Sequence, residues 1–271
     1  MSRFLPLIAA ALLLAMAPVA EAVSLRITVE NLAPENSVSL APLRFGVGNG
    51  TFDAFNNNEV AFLLGEADIA SAPIVSVAEG GSGSTWFPAF VAAEPDANLG
   101  SVLPPPGGPF LPGGVSSTVV EVDPTNQYFT FATMVVPSND HFLGNANPTA
   151  FQIFDNAGNL ILDQIEEDAS RIWDAGSEQE IPENAAFLAI GTNANRVDEG
   201  DPVQFNFSDL SAFNGLETAA GYNFDSSLLA SDTPVLRVSF AVVPEPASFA
   251  IAGVGALGLL LLRRRVAKKM S

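Results

Sequence analysis

Tyr128-Phe129-Thr130-Phe131-Ala132-Thr133-Met134-Val135-Val136-Pro137-Ser138-Asn139-Asp140-His141-Phe142-Leu143-Gly144 is the stretch from which the architecture follows. Phe129, Phe131, Thr133 and Val135 share one face of a strand, and the other face is also largely apolar. A strand greasy on both sides belongs in the middle of a sheet covered on both faces. Proline has no N–H to give to a ladder, so strand pairing should stop at Pro137 and leave Asp140 on a loop at the strand end. A second segment, Trp173-Asp174-Ala175-Gly176-Ser177-Glu178, follows later, with Gly176 permitting a tight bend. Together the two segments gather Asp140, Asp174 and Glu178 at one end of a sheet.

Two readings of those acids are open from spacing alone. Calcium takes roughly six to eight oxygens, and two aspartates, a glutamate and nearby carbonyls supply most of them. Aspartate is also a common turn former, capping its own backbone. The chain holds no sequential calcium loop of the EF-hand type. His141 is the sole histidine. It cannot build a His-rich zinc site or, with no paired nucleophile, a triad, and it reads as a surface or loop-packing residue.

Working outward, the first and last segments of the body alternate cleanly. Val23, Leu25, Ile27 and Val29 oppose Ser24, Arg26, Thr28 and Glu30, while Leu236, Val238, Phe240 and Val242 oppose Arg237, Ser239 and Ala241. Each predicts a half-buried strand, and the two are expected to pair near one edge. Further strands are expected over residues 43–47, 86–91, 117–122, 150–154, 160–162 and 187–190, with a hairpin turn at 155–159. A short helix over residues 59–67, entered through 56–58, is the only substantial one predicted for the body. Residues 98–114 hold five prolines and five glycines and read as a long surface loop. Short strands separated by turn signals predict an all-β fold, an antiparallel β-sandwich with one or two short helices.

The chain has 271 residues and no cysteine, which excludes disulfides, thiol nucleophiles and thiolate metal sites. Residues 23–243 hold 28 of the 30 acidic side chains and five of the 11 basic ones, a net charge near -23. Such a surface repels nucleic acid and anionic lipid and attracts divalent cations. The acidic groups Asp163, Glu166, Glu167, Asp168 and Asp198, Glu199, Asp201 read as solvated faces. No phosphate loop or nucleophile elbow is present.

The two ends read as processing segments. Arg3, an apolar run over residues 7–17 and Ala20-Glu21-Ala22 form a signal peptide over residues 1–22. At the other end, Pro244-Glu245-Pro246 precedes an apolar run over residues 247–262 and then Arg263-Arg264-Arg265. As a helix that run spans about 24 Å, short for the ~30 Å of a bilayer core. The basic block should stay cytoplasmic and the body outside. This tail, residues 244–271, resembles the bacterial PEP-CTERM sorting signal. The resemblance implies recognition by a membrane enzyme, exosortase, a transient anchor in the inner membrane, and final location in the envelope, on the outer surface or outside the cell.

The body resembles the spondin N-terminal domain family. The match begins at Ile27-Thr28-Val29-Glu30-Asn31-Leu32 and is sharpest at residues 136–144 and 173–178. It implies one β-sandwich domain over residues 23–243 that binds calcium through Asp140, Asp174 and Glu178. Animal members often carry tryptophan where His141 stands, often have aspartate at the position of Glu178, and use cysteines that are absent here. The expected function is therefore a non-enzymatic, calcium-binding envelope or matrix protein with an adhesion or exopolysaccharide role, its partner an exopolysaccharide or another surface protein. Two rivals remain: a polysaccharide hydrolase using the acidic loop residues, disfavoured by a stock of only two Trp and two Tyr, and a structural surface protein without metal.

Overall fold

The alternation read from the sequence becomes burial in three dimensions. The computed structural model describes residues 22–61, 73–192 and 196–244. In chain order the elements are β1 (Val23–Asn31), β2 (Ser39–Leu40), β3 (Leu43–Gly48), α1 (Pro73–Ala78), α2 (Trp86–Ala93), β4 (Asn98–Val102), β5 (Val115–Val122), β6 (Tyr128–Val136), β7 (His141–Gly144), β8 (Gln164–Asp168), β9 (Trp173–Asp174), β10 (Gln204–Phe205) and β11 (Pro234–Val242). Short 3-10 turns lie at Ala169–Arg171, Phe207–Phe213 and Ser226–Leu228.

The strands form two antiparallel sheets. One has the order β5-β1-β11-β8; the other runs β10-β9-β7-β6-β3-β4, with β2 added on β6. They pack face to face. Leu25, Ile27, Val29, Val238 and Phe240 of the first meet Phe45, Phe129, Phe131 and Val135 of the second. The Phe129 and Phe240 rings touch edge to face across the interface, 4.9 Å between centroids. This sandwich matches the expectation, and so does the central place of β6: from Phe129 to Val136 every residue is buried.

The outer face of the larger sheet is covered by a second layer. Phe52, Phe55, Trp86 and Phe90 pack there against Phe142 and Trp173, with α1 alongside. Burying both faces of β6 and β7 is what requires this layer, because a sandwich alone covers only one.

Several expectations are corrected. β1 and β11 do pair, from Leu25 opposite Val242 to Asn31 opposite Leu236, but as the two central strands of their sheet and not at an edge. Residues 86–91 are helical. Trp86 and Phe90, four apart, share the buried face, and Pro88 sits in the first turn, where its missing N–H has no intrahelical partner to lose. Residues 98–102, read as part of the Pro/Gly loop, form the edge strand β4; the prolines begin only at Pro104. A side chain at Gly100 would come within 2.5 Å of the Phe45 ring, so the glycine permits this strand to lie against it.

Residues 187–190 make no strand. Phe187 has a φ of 70°, and Leu188 forms a single bridge to Thr218. The 155–159 turn is present, with Asp155 Oδ1 accepting the N–H groups of Ala157 and Asn159 at 2.8 Å each, but its arms meet in one bridge, Phe154 with Leu160. Residues 59–61 form a turn and a bridge from Val60 to Pro202. The remainder of the helix expected over 59–67 lies outside the described residues, as do the signal peptide up to residue 21, the apolar run 247–262, and Glu245, Pro246, Arg263, Arg264 and Arg265. Among the described residues no helix is long and apolar enough to cross a membrane.

Candidate metal centre

β6 ends where the sequence says it should. After Pro137 the chain turns within residues 137–140 and returns as β7, Thr133 opposite Leu143. Ser138 holds the turn: its hydroxyl donates to the Val135 carbonyl at 2.5 Å and accepts the His141 N–H at 3.1 Å. The turn is packed under other chain, so Ser138, Asn139, Asp140 and His141 are all buried. Four consecutive buried polar residues need partners, since a buried unmatched polar group costs roughly 1–3 kcal/mol.

The second motif supplies some of them. β9 pairs with β7 so that Asp174 stands directly opposite His141. The chain then bends at Gly176, whose φ is 61° and whose missing Cβ would lie 2.3 Å from the Asp201 carbonyl oxygen. That bend wraps the next residues around Asp140. Its Oδ2 accepts the N–H of Ser177 (2.7 Å), the Ser177 hydroxyl (3.0 Å) and the N–H of Glu178 (3.1 Å). Asp174 is held by the Gly176 N–H at 2.7 Å and by the Asn206 amide at 3.2 Å.

What remains unmatched defines the centre. Among the described residues, the buried side-chain atoms without a hydrogen-bond partner are Oδ1 of Asp53 and five atoms here: Oδ1 of Asn139, Oδ1 of Asp140, Nδ1 of His141 and both carboxylate oxygens of Glu180. Asp140, His141 and Glu180 each bring a ligand atom within 4.8 Å of the others. His141 Nδ1 lies 2.9 Å from Glu180 Oε1 and 3.9 Å from Asp140 Oδ1, while Nε2 lies 2.7 Å from the carbonyl oxygen of Asn206.

The electrostatics are strained accordingly. Burial pushes the Asp140 carboxyl up to about 7; His141 opposes this, and the charges of Asp174 and Glu180 add to it. Burial alone would lower the His141 imidazole, yet contact with Glu180 and the charges of Glu180, Asp140 and Asp174 raise it to about 9. Glu199, through partial burial and then the charges of Asp201, Asp174, Glu180 and Asp209, is also shifted upward. Negative charge therefore accumulates at this end of the larger sheet, the situation a bound cation relieves.

The three acids expected from the sequence part company. Asp140 is the centre and Asp174 stands across from His141. Glu178 turns away: its Oε1 accepts from the amides of Asn139 (2.9 Å) and Asn184, and its Oε2 faces Arg196 at 3.2 Å. Arg196 also pairs with Glu79 and Asp198. Glu79, Glu178 and Arg196 line an adjacent polar cleft of about 380 Å³ with Ser76, Ser82 and Ser84. Glu180, two residues further on, is the acid that faces His141, and sequence spacing did not single it out. His141, expected at the surface or in loop packing, is wholly buried.

A family model described as the PEP-CTERM protein-sorting motif matches residues 242–265. The chain carries an exosortase sorting signal. The motif indicates an exported protein sorted to the cell envelope or surface, with the sorting enzyme as a partner. The match takes in Val242, the last residue of β11, and the motif beginning at Pro244. No curated protein matches the chain. The likeness of the body to the spondin N-terminal domain has no family match behind it.

Proposed function

We propose that this exported, envelope-sorted β-sandwich protein is non-enzymatic and binds calcium at the end of β6, with Asp140 as the central ligand and Asp174 and Glu180 beside it. Glu180 takes the place that the spondin resemblance gives to Glu178. The ion would tie the turn after β6 to the loop after β9 and so fix the surface formed by that end of the larger sheet. An adhesive role toward an exopolysaccharide or another surface protein fits the sorted location and the acidic body.

The observation that carries this reading is the set of buried, unpartnered oxygens on Asn139, Asp140 and Glu180. Native interiors rarely keep such atoms together without a partner, and a divalent cation matches several at once. The test is the melting temperature of the protein in calcium and in chelator. Calcium at about one hundred times its Kd should stabilise by about 2.7 kcal/mol. Identical melting in calcium and chelator would remove the calcium reading.

A further inference from the structure

We infer that His141 is itself a metal ligand, through Nδ1, and that with Asp140 and Glu180 it makes the pocket prefer a first-row divalent ion, with zinc as the probe, to calcium. This rests on the reading that a divalent cation occupies the end of β6 and changes which ion is preferred there.

The tautomer of His141 follows from one contact. A carbonyl oxygen only accepts, so Nε2, 2.7 Å from the Asn206 oxygen, must carry the hydrogen. In the neutral ring Nδ1 then presents its lone pair. The Asn206 carbonyl is well placed to hold the ring: the Asn206 N–H donates to the Ile172 carbonyl at 3.1 Å, and its amide bonds Asp174 and Asp209 at 3.2 and 2.6 Å. An imidazole that donates one N–H to a backbone carbonyl while its other nitrogen faces carboxylates is oriented as metal-bound histidines are.

The faced atoms are all acceptors. Nδ1 meets Glu180 Oε1 at 2.9 Å and Asp140 Oδ1 at 3.9 Å, and none of the three closes a hydrogen bond. Asp140 and His141 are wholly buried, so solvent does not relieve them. A proton on Nδ1 answers only Glu180 Oε1, at 2.9 Å, and leaves Asp140 Oδ1 and the second Glu180 oxygen unmet. A metal ion answers all three residues. Zinc binds nitrogen and oxygen at about 2.0–2.2 Å, which for tetrahedral ligands sets them roughly 3.3–3.6 Å apart. The two observed separations bracket that spacing.

The nitrogen decides the selectivity. Calcium is a hard ion that takes oxygen ligands, whereas neutral imidazole with carboxylates suits zinc and its neighbours. With Asp140 and His141 wholly buried and Glu180 only partly exposed, the ion would serve a structural role. In an exported chain with no cysteine, it would cross-link two distant segments without a disulfide.

The test is calorimetric titration of the full-length chain, purified in detergent and stripped with chelator, with Zn²⁺ and separately with Ca²⁺. The expected result is one zinc site at least about tenfold tighter than calcium, weakened about tenfold or more by His141→Gln, with calcium affinity held within about twofold. X-ray absorption at the zinc edge of the wild-type protein should place a nitrogen at about 2.0–2.1 Å, a readout that does not depend on the variant folding. Calcium binding with zinc no tighter, or a zinc shell of oxygen alone, overturns the role of His141 and leaves the calcium reading standing. Failure of both ions to bind overturns both.

Discussion

Ser177 grips one oxygen of Asp140 twice, with its backbone N–H at 2.7 Å and its hydroxyl at 3.0 Å. The other oxygen of the same carboxylate has no partner. Asp140 is thus divided: Oδ2 fastens two distant segments together, and Oδ1 is the oxygen that the proposed ion would take.

That division separates two substitutions. Asp140→Asn keeps an oxygen for Ser177 and Glu178, so the protein should fold, and the rise in melting temperature with calcium should disappear. Asp140→Ala also strands the N–H groups of Ser177 and Glu178, and should cost about 3 kcal/mol in urea denaturation. Equal metal responses in Asp140→Asn and wild type would remove Asp140 from the ligand set.

Glu178 and Glu180 should behave differently although they are two residues apart. Glu178→Gln loosens Arg196 from the Asn139 side and should cost about 1 kcal/mol of stability, modest because Arg196 is partly solvated. Its calcium affinity should stay within about twofold of wild type. Glu180→Gln should weaken calcium by about tenfold. Calorimetry on both variants checks the assignment, and the reverse pattern would restore Glu178 as the ligand.

In chelator, stability should fall as pH rises. The imidazole of His141, raised from 6.5 to about 9, contributes stability that is full below its unfolded value and lost as pH passes through about 9. Asp140, raised from 3.8 to about 7, acts in the same direction at lower pH, its share being lost as pH passes through about 7. Thermal melts in chelator should therefore decline from pH 6 to pH 9.5, and His141→Gln should flatten the upper part of the slope. An unchanged slope in that variant would count against the Glu180 contact.

The contact between Phe129 and Phe240 is one of several that join the two sheets. Phe129→Ala should cost about 3–5 kcal/mol, read as a lower urea midpoint with an unchanged m value. A cost under about 1 kcal/mol would mean that the two sheets do not depend on this contact.

The strands with clear patterns were legible: β1, β5, β6 and β11 fall where alternation or a two-sided apolar run put them. So was the stop at Pro137, because the missing N–H is a local fact. The helix α2 was not, since Trp86-Phe87-Pro88-Ala89-Phe90-Val91 is apolar at both helical and strand periods, and only the aromatic layer over Phe142 and Trp173 selects the helix. At the candidate metal centre the placement of Asp140 and Asp174 was legible because each lies beside a strand end. Glu180 was not, because the choice between it and Glu178 is made by Arg196, far along the chain, and by the bend at Gly176. The burial of His141 depends likewise on Asn206, beyond β10.

The pairing of β1 with β11 also fixes an orientation. Val23 and Val242 lie at the end of the sandwich where β5 finishes and β6 begins, since Val23 stands opposite Val122 and Leu25 opposite Val242. Asp140 lies at the far end of β6, about 30 Å away for a nine-residue strand. The Val243 N–H still bonds the Ser24 carbonyl at 2.8 Å, so the sorting motif begins at Pro244 with no slack before it. Whatever grips the chain beyond Pro244 therefore grips it by the end remote from Asp140. The domain would stand on the envelope like a post, its foot at the sorting signal and its Asp140 end turned toward whatever approaches from outside.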